Sequence, residues 1–371
     1  MTAGATGRGI IDPVLFLWPM AYNKSKGKQR MSKIEPAVMT LTFATPASDP
    51  GVRTQSWIDL SQVVSLVNRR FYRQGLNWAV GGFKVSSLQT GAVNIMKLPN
   101  TWIMSNAWEK SMRVWQRMNK EALAETESIR PRFLDFKVFA GSDHHLSGAA
   151  NNLLPVAFGA GGIGNTAKRG EWNYSKIVTP NTVLPGTSIE FEVLATGPSF
   201  PGLGASGVNA VSMIEGYASS RGLPDIRDPN TPGDAVDTAG PVPENWMQAI
   251  FNEGTDQDNL VVQDMVTENN IAPYPFENGE NPLGGVYTDT QYPGGANQLI
   301  GLELHDFVNI FASNLTDGVG IQRLKGGNFP CGLLSIDWTP SIDASESNLL
   351  LQIDMIPGSH RGYLCEPMTE M

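Results

Sequence analysis

The stretch "LNWAVGGFKVSSLQTGAVNIMKL" covers residues 76–98. Two runs that alternate apolar and polar residues, 76–88 and 91–98, meet at a Gln-Thr-Gly turn. A period of two is the signature of a strand with one face buried, and so short a link between two such runs predicts a β-hairpin. The same alternation recurs outward along the chain. "AVMTLTFAT" (37–45) sets Val38, Thr40 and Thr42 against Met39, Leu41 and Phe43. "RFLDFKVFAG" (132–141), "SIEFEVLAT" (188–196), "QLIGLELHDFVNIFA" (298–312), "GLLSIDWTP" (332–340) and "NLLLQIDMIPG" (348–358) complete eight expected strands.

Nothing in the order of elements alternates strand with helix, so a parallel α/β sheet is not expected. The helical patterns look inserted. From Ser105, read as an N-cap, "SNAWEKSMRVWQRMNKEALAE" repeats Trp108, Met112, Trp115 and Met118 at helical steps. Shorter candidates lie at 61–72, 206–222 and 243–254. Long polar loops fill 222–297, and stretches of that length tend to be functional surface. No internal repeat argues for a propeller or solenoid. The expected fold is therefore all-β: a single eight-stranded antiparallel jelly roll, with long loops and a few inserted helices. Residues 36–371 form that domain, with an insertion at about 200–297, and residues 1–35 form an N-terminal arm.

Composition agrees with a β-rich chain. Of 371 residues, 39 are Gly and 25 Pro, while charged residues are only 17%. The formal charge of −9 is unevenly spread. Residues 1–140 hold 19 Lys+Arg and 9 Asp+Glu, a balance of +10, and the remainder carries −19. Such asymmetry fits one face meeting a polyanion, or two halves neutralising each other across a fold or subunit contact. The two cysteines, Cys331 and Cys365, exclude a disulfide scaffold and are read as reduced thiols. The apolar segment 10–22 is interrupted by Asp12 and two prolines, and is too short to span a bilayer. No secretory leader and no membrane partner are expected.

Catalytic patterns are weak. "GAGGIG" (159–164) matches the dinucleotide fingerprint formally, but a helix and an acidic residue do not follow it. "SDHHLSG" (142–148) offers imidazoles to a metal, yet adjacent histidines rarely face one ion, so a loop with solvated or interface histidines is expected. Glu190 and Glu192 share one strand face. They are the nearest approach to a glycosidase pair, and no elbow or Cys–His spacing suggests a nucleophile. No metal or cofactor is expected.

Basic residues stand out more. In "YNKSKGKQRMSK" (22–33), Lys24, Lys26, Lys28 and Arg30 occupy every second position, and Lys33 follows. As an extended strand this puts the four cations on one face, suited to a polyanion; a solvated flexible arm is the alternative. In "NRRFYRQGLNW" (68–78), Arg69, Arg70 and Arg73 sit beside Phe71, Tyr72 and Trp78. Arginines contact phosphates and aromatic faces stack bases. The plainer account is a helix end whose aromatics enter the core.

Several phrases carry a resemblance: "IDLSQVVSLVNRRFYRQGLNWAV" (58–80), "WEKSMRVWQRMNKEALAETESIRPRFLDFKVF" (108–139), "ENWMQAIFNEGTDQD" (244–258), "KGGNFPCGLLSIDW" (325–338) and "PGSHRGYLCEPMTEM" (357–371). With them the chain resembles capsid proteins of small circular Rep-encoding single-stranded DNA viruses, of the kind known from environmental genomes. That resemblance implies a non-enzymatic jelly roll that self-assembles in about sixty copies, or a multiple, into an icosahedral shell. The shell would enclose a single-stranded DNA genome, and the protein would be found in the virion and, during assembly, in the host cell. Many relatives begin with a long Arg-rich arm; here the basic stretch is short. The competing expectation is a β-sandwich that binds or hydrolyses carbohydrate.

Overall fold

A computed structural model describes residues 36–124, 128, 134–159, 162–180, 187–221, 247, 302–312 and 318–371. Eight strands build two facing antiparallel sheets and are numbered in chain order: β1 Thr40–Ala44, β2 Thr54–Asp59, β3 Leu76–Ser87, β4 Gly91–Lys97, β5 Glu303–Ile310, β6 Gly320–Phe329, β7 Leu333–Pro340 and β8 Leu350–Met355. One sheet has the order β1-β8-β3-β6, with a fifth, three-residue strand, Cys365–Pro367, also paired to β3; the other has the order β5-β4-β7-β2. The chain is thus an all-β sandwich with a few helices in its connections.

Both runs of the 76–98 stretch are strands, but they do not form a hairpin. β3 pairs with β8 and β6, whereas β4 pairs with β5 and β7. The link arches from one sheet to the other. Gly91 sits at the foot of that arch, where a Cβ would lie 2.5 Å from the Thr339 carbonyl oxygen and from the Trp338 ring. Of the seven connections between consecutive strands, only β4 to β5 joins partners in one sheet. Every pairing among these eight strands, β4 with β5 included, is therefore non-local, and the apolar alternation of each strand serves the shared interior. Phe43, Phe83, Val85, Val93, Ile95, Ile336, Trp338 and Ile353 fill it, with Phe83 and Phe329 edge to face at 5.4 Å.

Two of the eight expected strands lie outside this sandwich, and two sandwich strands were not expected. Ser188–Leu194 pairs with Lys176–Pro180 and, in parallel, with Asn209–Ser212 in a separate three-stranded sheet. The 132–141 run makes only one bridge, Phe139 to Leu194. Its backbone is shared between side chains and neighbouring backbone: Lys137 N–H donates to Ser175 Oγ and Val138 N–H to Gln74 Oε1, while Phe139 N–H donates to the Val193 carbonyl and the Phe139 carbonyl accepts from Ala195 N–H. Conversely, β6 is a strand although glycines interrupt its alternation. At Gly326 a Cβ would meet the Val80 carbonyl oxygen at 2.2 Å, so the backbones of β3 and β6 approach too closely for any side chain.

Residues 98–302 separate β4 from β5. They hold the helices α2 (Trp102–Ala122), α3 (Ser142–Ser147) and α4 (Met213–Arg221), besides the three-stranded sheet. Most of the expected 200–297 insertion, and the 243–254 helix apart from Met247, lie outside the described residues. α2 starts earlier than its sequence suggests. Thr101 is the N-cap, accepting from Met104 N–H, while the Ser105 hydroxyl donates to the Met368 carbonyl. A second apolar core, with Trp108, Trp115, Phe136, Phe191 and Ile214, fills this region.

Between the two cores runs a buried polar chain. Asp59 caps the helix α1, Leu60–Asn68, accepting from Ser61 and Gln62 N–H at 3.0 and 3.2 Å. Its Oδ2 accepts from Gln74 Nε2 and Trp172 Nε1, both at 3.0 Å. Gln62 Oε1 takes a hydrogen bond from Asn152, whose Oδ1 pairs with His144 Nε2 at 2.8 Å. Burial pushes Asp59 up to about 6 against the pull of its donors, and holds His144 down to about 4.

Candidate nucleic-acid interface

Where α1 ends, Arg69 takes a left-handed conformation at φ 53° and turns the chain outward. The loop to β3 is pinned from beneath. Tyr72 N–H donates to Ser65 Oγ at 2.9 Å, and the Ser61 hydroxyl to the Arg73 carbonyl at 3.2 Å. Tyr72 and Trp78 are fully buried and form an aromatic triad with Tyr363, ring centroids 5.6–5.9 Å apart. These two aromatics are core, and they anchor the loop rather than offering faces for stacking. Arg69 and Arg73 are exposed and Arg70 is half-buried.

A fourth arginine joins them from the far end of the chain. In the turn between the two-residue strands Pro357–Gly358 and Gly362–Tyr363, Arg361 stands at φ 51°. Its Nη1 donates to the Phe71 carbonyl, and its guanidinium lies 6.0 Å from the Tyr72 ring centroid. The Tyr72 hydroxyl returns a bond to the Arg361 carbonyl at 3.0 Å. Burial raises the Tyr72 phenol, and the charges of Arg70 and Arg361 work against that rise. Sequence reasoning missed Arg361. The available signal was its turn, "PGSHRGY", but 288 residues separate it from Arg73 and only the fold brings them together.

Below Arg73 and Arg361 opens a cavity of about 140 Å³. Phe71, Trp108 and Phe136 supply its aromatic wall, and Asp135, Gln116 and His360 its other polar groups. Trp108 is 5% exposed and its indole N–H has no hydrogen-bond partner. Asp135 is buried, and burial raises its carboxyl while Lys137 and Arg73 oppose the rise. Lys137 Nζ stands 3.3 Å from Asp135 Oδ2 as an ion pair without hydrogen-bond alignment.

Lys24, Lys26, Lys28, Arg30 and Lys33 lie outside the described residues. The histidines of "SDHHLSG" are not solvated: α3 buries both. His144 stacks on Trp57 at 4.7 Å and accepts from Ala140 N–H at Nδ1, and His145 Nε2 lies 2.8 Å from Glu192 Oε2. Burial against aromatics suits a neutral His144 ring, whose pKa it holds down to about 4. Among the described residues no cluster of three or more His, Cys, Asp or Glu could hold a metal. Glu192 is committed to His145, while its strand neighbour Glu190 pairs at the surface with Lys176 at 2.9 Å. The two carboxylates therefore do not flank a common cleft. "GAGGIG" falls where Val156–Gly159 pairs with Gly162–Thr166, so a strand and not a helix follows it. Cys331 and Cys365 are free thiols.

The chain matches no protein-family model, no curated protein and no solved structure. Its function has to be read from its own residues. Among the described helices none is long and apolar enough to cross a membrane.

Proposed function

We propose that the chain is the subunit of a self-assembling viral capsid, a jelly roll whose basic residues contact a single-stranded DNA genome. The sheet orders β1-β8-β3-β6 and β5-β4-β7-β2 support the jelly-roll assignment, because a double Greek key places first and last strands side by side and crosses sheets at nearly every turn. Jelly rolls also serve lectins and cupins, so fold alone does not choose among functions.

The observation that carries the assembly reading is the exposed apolar side chains along one edge of the sandwich. β5 is an edge strand: among the described residues no further strand ladders onto it, although its His305 and Asp306 side chains bond the Lys325 backbone of β6. Leu304 (54% exposed), Phe307 (62%) and Phe311 (71%) project from it or its end. Val319 and Ile321, on and beside the edge strand β6, are also exposed. An edge strand bearing exposed aromatics is an association surface in a chain that must otherwise avoid sticking to itself. In a closed shell such an edge is covered by a neighbouring copy. The resemblance in the sequence supports the same reading, as do the exposed arginines at 69, 73 and 361.

Electron microscopy and sedimentation of the purified chain test the proposal. Uniform, very large particles are expected, together with DNA binding that weakens with salt. Changing Lys24, Lys26, Lys28 and Arg30 to Ala should reduce the slope of log affinity against log salt by about 3, since each phosphate contact on a single strand contributes about 0.7. A protein that stays monomeric across salt and pH sinks the capsid reading.

A further inference from the structure

The outward face of the sheet β1-β8-β3-β6 carries its side chains in rows fixed by register. Arg323 of β6 stands directly opposite Lys84 of β3, and the row continues through Gln352 of β8 to Thr42 of β1. In the next row Lys325 stands opposite Gly82, followed by Asp354 and Thr40. Directly opposed residues have Cβ atoms about 5 Å apart and diagonal ones about 7–8 Å, so Arg323, Lys84 and Lys325 form one compact triangle of positive charge. Arg323 and Lys325 are exposed and Lys84 is half-buried.

The sheet itself gains nothing from this arrangement. Like charges directly opposite each other on neighbouring strands destabilise the pair, and at these separations salt screens them only in part. None of the three has an ion-pair partner among the described residues. The carboxylate in these rows, Asp354, lies opposite Gly82 and accepts from the Thr40 hydroxyl at 2.7 Å. Around the triangle the outward positions are small or uncharged: Thr40, Thr42, Gly82, Ser86 and Gln352. No aromatic side chain stands among them, and the exposed aliphatic Ile321 lies at the β6 edge.

We propose that this face binds the phosphates of a DNA single strand, with Arg323, Lys84 and Lys325 as the contacts. The proposal rests on the reading of the chain as a DNA-enclosing subunit, and it adds three cations to those at 69, 73 and 361. A protein partner would call for a different surface. Protein–protein contacts have an apolar or aromatic centre, whereas protein–DNA contacts are more polar and much more positive. The exposed Leu304, Phe307 and Phe311, which suit a neighbouring copy, belong to β5 and its end, in the other sheet. Phosphate matches the donors present: Arg offers a planar fork and Lys a mobile point charge. The Gln352, Thr42 and Ser86 side chains beside them are further donors of the kind that reach phosphate oxygens. Such contacts hold a strand on the sheet and carry no base information.

Fluorescence anisotropy on the full chain over a range of salt, with labelled oligothymidine and oligodeoxyadenosine of about eight nucleotides, tests the proposal. Changing Arg323, Lys84 and Lys325 together to Gln should lower the slope of log affinity against log salt by about 2, at about 0.7 for each phosphate contact. The loss should be equal for both oligomers. Lys84→Glu gives a second reading, because it sets a carboxylate opposite Arg323. Its denaturant midpoint should rise while DNA binding weakens; a merely structural role for Lys84 would move both down together. An unchanged slope in the triple variant overturns the assignment, and particles with salt-sensitive DNA binding would then leave the capsid reading intact. Unequal loss between the oligomers overturns the phosphate assignment in favour of base contacts. A triple variant that binds DNA normally but no longer forms particles overturns it in favour of contact with a neighbouring copy. If the unmodified chain neither assembles nor binds DNA, both readings fall.

Discussion

The sandwich and the described part of the 98–302 region each have an apolar core, yet they are held by different chemistry. The sandwich interior is hydrocarbon from end to end, with Trp78, Phe83, Phe329, Trp338 and Tyr363 interlocked and strands drawn from both ends of the chain. The region between β4 and β5 has its own apolar core. Its seam with the sandwich joins apolar contacts of Trp57 and Leu333 to a hydrogen-bonded line from Asp59 through Gln62 and Asn152 to His144. Apolar packing is tolerant of chemistry and intolerant of volume; a buried polar line is the reverse, since each member needs its partner. The two regions should therefore fail in different ways.

The largest difference concerns truncation. Trp338→Ala should destabilise the whole molecule by about 3–5 kcal/mol, because a large fully buried ring leaves a cavity among strands from every part of the sandwich. Phe191→Ala should instead open the inserted sheet locally. Hydrogen exchange would then show amides of Lys176–Pro180 and Ser188–Leu194 losing protection while β3, β7 and β8 keep theirs. If β7 loses protection equally, the two regions are one cooperative unit and the comparison fails.

A smaller effect sharpens the seam. Asp59 is raised from 3.8 to about 6, so its contribution to stability is complete below pH 4 and is lost as pH rises through 6. His144 is lowered from 6.5 to about 4, so its contribution is complete above pH 6.5 and is lost as pH falls through 4. Each amounts to roughly 3 kcal/mol, and across this window they act in opposite directions. The unmodified protein should therefore show little pH dependence from this pair. Asp59→Asn should expose a loss of stability on acidification from pH 6.5 to 4, and His144→Gln a gain over the same range. Denaturant midpoints measured at several pH values would show it, and parallel pH profiles for the two variants would break the account.

The smallest expected effect lies at the surface of the inserted sheet. Lys176→Ala removes an exposed pair with Glu190 and should change stability by less than about 1 kcal/mol, falling further with salt. A larger loss would mean that this face is covered in the assembled protein.

Strands with clean alternation were legible from sequence: β1, β3, β4, β5, β7 and β8 all stand within the runs expected of them. β6 was not, because its inward positions include Gly320 and Gln322 and its glycines serve backbone approach rather than a hydrophobic face. β2 was missed because its last four residues are all buried, which erases the alternation. The 132–141 run shows the opposite error. Its pattern is that of a strand, but the Lys137 and Val138 amides bond to side chains of Ser175 and Gln74, which leaves a single bridge at Phe139, and no local rule predicts that capture. The arginines at 69, 70 and 73 were visible as candidates, whereas Arg361 and Asp135, brought to the same cavity from distant segments, were not.

By itself the sequence determined the class of fold and the location of most strands, because apolar periodicity is a local property enforced by burial. It also determined that cations gather early in the chain and acids late. Only the tertiary structure decided which strands pair. The link at 88–90 can close a hairpin or arch between sheets, and the choice is made by the apolar faces of β7 and β8, some two hundred and fifty residues away. The same non-local pairing buried both histidines and set Arg361 beside Arg73, placements that depend on partners no neighbouring residue can announce.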